Sequence, residues 1–185
     1  MKHENLILVN RQHRIYGEPD DLVSVSSAYP GIKLRREAWQ ALRNLLRAAG
    51  CADRIVPVSG YRSQKEQEDI YESSLTENGM DFTKKYVALP GCSEHQTGLA
   101  IDLALKQAHI DFIRPDFPYD GICGVFRELA PAYGFVERYP AGKEGITGIA
   151  HEPWHFRYVG CPHAGIMTER NLTLEEYLEC GYGRI

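Results

Sequence analysis

Two short stretches of this chain gather side chains that can hold a metal ion or move a proton. In the run Gly91-Cys92-Ser93-Glu94-His95-Gln96-Thr97-Gly98-Leu99-Ala100-Ile101-Asp102-Leu103, an imidazole precedes a carboxylate, with a glycine between them and an apolar run around the acid. Leu99, Ile101 and Leu103 alternate with Ala100 and Asp102, the pattern of a strand with one face on a core. Asp102 then points away from the leucines. Burying such an acid costs free energy unless its charge is compensated. A metal ion would compensate it, and His95 would supply a second ligand from the turn before the strand. The alternative is a solvated histidine followed by an exposed aspartate, and this stretch alone leaves both readings open.

The second stretch, His151-Glu152-Pro153-Trp154-His155, formally matches H-E-x-x-H, the zinc-protease signature that needs an α-helix to put its histidines one turn apart. Pro153 biases Glu152 away from helical geometry, and aromatic and β-branched residues follow, so a strand is expected instead. In a strand His155 faces opposite to Trp154 and Phe156 and is a candidate third ligand beside His95 and Asp102. Catalytic zinc takes three protein ligands and keeps one position for water, with Glu152 as the candidate general base. Taken alone, a core histidine and a solvated acid would be the simpler reading. Arg62 lies at an expected strand-to-helix turn, where a guanidinium can hold the charge that develops on a carbonyl oxygen. A surface arginine beside Glu66 fits that spacing equally well.

The elements that must position these groups are read from periodicity. Residues 6–9 look like a short strand, and apolar positions at helical spacing predict a helix over 34–49, with Gly50 as its left-handed cap. Residues 55–58 read as a strand whose proline marks an edge or an end. Ser63 with Glu66 forms a capping box, predicting a helix to about Leu75 and a stop at Asn78-Gly79. A loop is expected beyond Leu105, then a helix over 124–133, a strand over 135–139, a flexible loop over 140–145, a strand over 154–159 and a short helix over 174–178. No repeat, low-complexity tract or domain boundary interrupts this order, so one α+β domain over 1–185 is expected.

Composition narrows the function classes. The 185 residues are 43% hydrophobic and 25% charged, with a net charge of -4. No basic stripe suggests nucleic acid. No apolar run approaches a membrane span or a signal peptide, so neither an anchor nor export is expected. Cys51, Cys92, Cys123, Cys161 and Cys180 form an odd set without a C-x-x-C pair, which suits free thiols in a reducing cytoplasm.

Four stretches together resemble one family. Ser93-x-His95-x-x-Gly98-x-Ala100-x-Asp102 and Glu152-x-x-His155 are similar to the two zinc-site motifs of the VanX/VanY-type D,D-peptidases. Gly60-Tyr61-Arg62-Ser63, with Gln67 further on, resembles their arginine segment. The runs over 88–95 and 146–160 look like the bifunctional VanXY branch, and the resemblance covers about Leu6 to Tyr177. It implies a central, mainly antiparallel sheet flanked by helices. It also implies one zinc ion on His95, Asp102 and His155, Glu152 as catalytic base, Arg62 as the group that binds the carbonyl, and Ser93 and Gln67 lining the substrate site. Cys92 and His151 fall outside that ligand set.

The implied reaction removes C-terminal D-alanine from D-Ala-D-Ala and from peptidoglycan precursor pentapeptide, which depletes the vancomycin target. The loop over 140–148 is then expected to border the site and admit the longer peptide. Two other functions fit the same residues: a related cell-wall peptidase (an L,D-carboxypeptidase or an endolysin), or a non-catalytic zinc module of the hedgehog type. Glu152 and Arg62 together favour an enzyme, because a structural zinc needs neither.

Overall fold

Six strands are present in the computed structural model, which describes residues 4–182, and all of them pair antiparallel. β1 (Leu22–Ser26) and β2 (Tyr29–Arg35) form a hairpin. After α1 (Arg36–Ala48) come β3 (Ile55–Ser59), α2 (Gln64–Tyr86) and β4 (Ala100–Leu105). They are followed by α3 (Gly121–Leu129), β5 (Phe135–Tyr139), α4 (Glu144–Thr147), β6 (Glu152–Tyr158), α5 (His163–Glu169) and α6 (Leu174–Glu179). Strands β3 to β6 make one sheet in the order β3-β4-β6-β5. The expected antiparallel sheet flanked by helices is therefore present, and Pro57 does sit on an edge strand.

The two sides of the sheet differ in chemistry. Leu99, Ile101, Leu103, Trp154 and Phe156 pack with Leu34, Leu42 and Leu45 and with Phe126 of α3 in the main core. A second core joins Leu6, Val136 and Val159 to Met167, Leu174 and Tyr177 of the last two helices. Residues of opposite strand parity, Asp102, His155 and Arg157, are buried as well. They therefore face a polar interior and not the main core.

Several boundaries differ from expectation, each for a tertiary reason. Residues 6–9 are not a strand: a 3-10 turn spans Glu4–Leu6 and irregular chain follows. Leu6 is drawn into the second core, and the Ile7 carbonyl accepts from Arg157 instead of from a ladder partner. The first helix begins at Arg36 because Leu34 and Arg35 end β2. The hairpin over 22–35 was hidden by its short, polar alternation and its Pro30-Gly31 step. The capping box on Ser63 and Glu66 is formed. Its helix turns at Gly79 (φ 80°) but resumes to Tyr86, held across the bend by a 2.8 Å Ser74–Thr83 hydroxyl contact. The third helix starts three residues early, at Gly121, and closes with a 3-10 turn over Ala130–Tyr133. The loop over 140–145 contains the first turn of α4, the last strand starts at Glu152, and α5 was not foreseen.

Two glycines let the hairpin approach the sheet. Gly98 has φ +67° and closes the turn before β4, where a Cβ would lie 2.9 Å from Leu22 Cδ2. At Gly60 a Cβ would lie 2.3 Å from the Lys33 carbonyl oxygen, a backbone atom that cannot step aside. Gly60→Ala is accordingly expected to cost about 1–3 kcal/mol or more, read as a lowered urea midpoint. An unchanged midpoint would contradict the close β2–β3 approach.

Candidate active site

Residues opposite one another on paired strands share a face. Asp102 lies opposite Ser59 on β3 and opposite His155 on β6. The sheet register itself thus sets carboxylate beside imidazole, with His155 Nδ1 2.9 Å from Asp102 Oδ1. His95 arrives from the 3-10 turn Glu94–Thr97 that Gly98 closes. Its Nδ1 donates to the Gly60 carbonyl at 2.7 Å, which fixes the orientation of the ring and turns Nε2 toward Asp102 Oδ2, 3.1 Å away. Metal-binding histidines are oriented in this way by what the other nitrogen bonds.

One atom from each of His95, Asp102 and His155 lies within 4.8 Å of the others, and all three residues are buried. Among the described residues this is the one such group of histidine, cysteine and carboxylate side chains. His151 is outside it: its Nε2 lies 2.7 Å from the Tyr119 hydroxyl and 3.4 Å from Glu137. The H-E-x-x-H match is accidental, as β6 geometry requires.

Arg62 is held by three partners. Its Nε donates to Ser59 Oγ at 3.0 Å, Nη1 to Gln67 Oε1 at 3.3 Å and Nη2 to Asp102 Oδ2 at 3.2 Å. Gln67 is fully buried and donates onward to the Ala88 carbonyl at 2.9 Å. It stands behind Arg62 and does not line the cavity, contrary to the position expected for it. Ser93 does line it. The cavity measures about 340 Å³, and its walls include Arg62, Ser93, His95, Asp102, Glu152 and His155, with Tyr139 and Trp154 beside them and the exposed Phe112 and Ile113 also lining it. The segment over 140–148 lies outside this cavity. Its Glu144 and Gly148 line a neighbouring depression that shares Tyr86 and Ile149 with the first.

The electrostatics suit a cation. Burial would raise the Asp102 carboxyl, but His95 and His155 outweigh it and hold Asp102 well below the usual carboxylate range. Burial and the Arg62 charge push His95 down, against the pull of Asp102. Burial pulls His155 down, yet hydrogen bonding to Asp102 and Glu94 pushes it up to about 9. A proton is thus drawn to the place a metal ion would occupy. Two imidazoles and a carboxylate converging in a buried pocket match the donor set of a three-ligand zinc site. Glu152, 3.8 Å from His155 Nδ1, is pushed up to about 8, chiefly by burial and against the pull of His155. A cation between the ligands would draw it back toward the carboxylate form.

Behind the ligands lies a buried ionic cluster that spacing did not reveal. Glu94 Oε1 meets Arg138 Nε and Arg157 Nη1, each at 2.8 Å. Arg138 also binds Glu175 of α6 in bidentate fashion, at 2.7 and 2.8 Å. Arg138, Arg157 and Glu94 are at most 1% exposed. The signal available in the sequence was slight: Glu94 adjoins a ligand, while the arginines sit singly in strands that read as ordinary half-buried elements.

Known proteins resemble this chain in sequence and fold. The VanY family model, described as D-alanyl-D-alanine carboxypeptidase, matches residues 31–161. The bifunctional D-Ala-D-Ala dipeptidase and D-Ala-D-Ala carboxypeptidase VanXYC of Enterococcus gallinarum is 46% identical over 175 residues, covering 93% of this chain and 92% of that protein. The solved structure of the vancomycin-resistance D,D-dipeptidase VanXYg with a D-Ala-D-Ala phosphinate analog has a TM-score of 0.94 at 53% identity, covering 97% of this chain and 72% of that one. A VanY D,D-pentapeptidase from a VanB-type resistance cassette, solved with Zn(II), has a TM-score of 0.77 at 33% identity, covering 95% and 99%. The chain belongs to the VanY-type D-alanyl-D-alanine carboxypeptidase family.

The ionic cluster generates a stability prediction. Arg138→Met removes the bidentate partner of Glu175 and leaves Glu94 with Arg157 alone, and is expected to cost about 3–5 kcal/mol in urea unfolding. A loss under about 1 kcal/mol would show that the cluster is not dry.

Proposed function

We propose that this family member is a zinc-dependent D,D-peptidase that releases D-alanine from D-Ala-D-Ala and from the C-terminus of peptidoglycan precursor pentapeptide, and so contributes to vancomycin-type resistance. One observation carries this reading: three converging ligands, a buried glutamate and a buttressed arginine all face one cavity. The similarity to VanXYC and VanXYg supports the substrate class. The cavity volume of about 340 Å³ lies at the small end of ligand pockets, roughly 300–1,000 Å³, which suits a dipeptide terminus.

In this reading His95 Nε2, Asp102 and His155 Nδ1 hold one zinc ion. When bound, the ion would acidify a water and polarise a carbonyl. The Glu152 carboxylate accepts a proton from the attacking water and returns it to the leaving D-alanine amine. The Arg62 guanidinium holds the oxygen on which negative charge grows, and Ser59 and Gln67 keep it aimed. Gln67 is therefore proposed as a support for Arg62, and Ser93 as a substrate contact. The walls of Val87, Ala88 and Trp154 exclude water around the terminal methyl groups. We place the enzyme in the cytoplasm. That location is supported by five cysteines that are all free thiols, three of them buried.

D-alanine release by zinc-loaded protein tests this directly. Glu152→Gln should lower kcat by about 10²–10⁴-fold with zinc retained, and Arg62→Ala by about 10²–10³-fold. Intact D-Ala-D-Ala and pentapeptide beside one bound zinc would sink the D,D-peptidase reading. Cleavage confined to a tetrapeptide with an L,D-bond would favour an L,D-carboxypeptidase instead. Shortening the segment over 140–148 should lower turnover of pentapeptide more than of dipeptide; an unchanged ratio would count against its role in admitting the longer chain.

A further inference from the structure

Two buried polar atoms face each other without any other hydrogen-bond partner among the described residues: His155 Nε2 and Glu94 Oε2. They are 3.6 Å apart. Both residues are nearly inaccessible, so each atom left alone would carry a desolvation penalty of about 1–3 kcal/mol or more. The other Glu94 oxygen is pinned by Arg138 and Arg157, each at 2.8 Å. Arg138 is gripped from the far side by both oxygens of Glu175. Arg157 donates to the carbonyls of Asn5 at 3.1 Å and Ile7 at 2.7 Å. Glu94 is thus a carboxylate whose position is fixed by charge on one side and whose free oxygen addresses one nitrogen only.

We infer that Glu94 is the positioning residue of the metal site: it receives the Nε2 proton of His155 and so reserves Nδ1, on the Asp102 side of the ring, for the metal. The inference rests on the proposed ligand set of His95, Asp102 and His155. His95 is oriented by a neutral backbone carbonyl, Gly60, whereas His155 is oriented by a full negative charge, and a charged acceptor raises ligand basicity more. The two arginines keep Glu94 ionised without competing for its second oxygen. Asn5, Ile7 and Glu175 all fall outside residues 31–161 that the family model matches. Both flanks of the chain are therefore wired to the metal centre through one carboxylate, and α6 reaches His155 through Glu175, Arg138 and Glu94 in turn.

The test uses full-length protein and zinc binding, apart from catalysis. Histidine-ring ¹H–¹⁵N correlation spectra of the zinc-loaded unmodified protein should show His155 protonated at Nε2. Protonation at Nδ1 would overturn the assignment without any variant. In chelator competition, Glu94→Gln should weaken zinc binding about 10–100-fold, and Glu175→Gln should weaken it less, in the same direction. A purely structural role for Glu94 would lower the melting temperature of both zinc-free variants while leaving zinc affinity and the His155 tautomer unchanged, and that result would overturn the proposal. His155→Ala separates the two levels. If it keeps zinc, the ligand set itself is wrong. If it loses zinc while Glu94→Gln binds normally, only the positioning role fails.

Discussion

A carboxylate with 5% exposure in the middle of a sheet must be matched by positive charge or lose its own. Asp102 is that carboxylate, and the surrounding structure is organised by the requirement. The antiparallel register places His155 directly across from it on β6 and Ser59 across from it on β3. The left-handed turn at Gly98 swings His95 onto its second oxygen. Arg62 closes the remaining side. His95, His155 and Arg62 thus surround the carboxylate with groups that can carry or donate positive charge.

The polar interior is layered behind this point. Glu152 and Arg62 face the cavity with the ligands, while Glu94, Arg138, Arg157 and Glu175 form an ionic group behind them with two charges of each sign. Buried ion pairs seldom improve on well-packed apolar residues in stability. Beside a candidate metal ligand, the positioning role proposed for Glu94 accounts for their presence, since its free oxygen faces His155 Nε2 at 3.6 Å. The opposite face of the sheet carries the apolar core, so strand parity turns Asp102, His155 and Arg157 away from it, while Glu152, at the first position of β6, reaches the cavity from the strand end.

Local spacing is why the candidate ligands were legible in the sequence. His95, Gly98 and Asp102 lie within one turn and strand, and Glu152 and His155 begin another, so local spacing carries their relation. The capping box at Ser63 and the edge position of Pro57 were readable for the same reason: each is a local device. Residues 6–9 misled because Leu6 and Leu8 are apolar for the sake of a core built from the far end of the chain. The hairpin of β1 and β2 escaped because it is short, polar and marked by Pro30-Gly31. Gln67 could be found but not placed, since only the fold reveals that it backs Arg62 and does not line the cavity. The ionic cluster could not be read at all: Glu94, Arg138, Arg157 and Glu175 come from separate elements, and nothing in a strand's alternation tells a buried paired arginine from an exposed one.

The central claim is that one metal ion sits where Asp102, His95 and His155 converge. Anomalous X-ray scattering recorded above and below the zinc edge from zinc-loaded crystals tests it most directly. One zinc peak is expected, bonded to His95 Nε2, an Asp102 oxygen and His155 Nδ1, with Glu94 behind the His155 ring. A peak lying elsewhere, on His151 or Cys92, or none at the three-residue site, would contradict it.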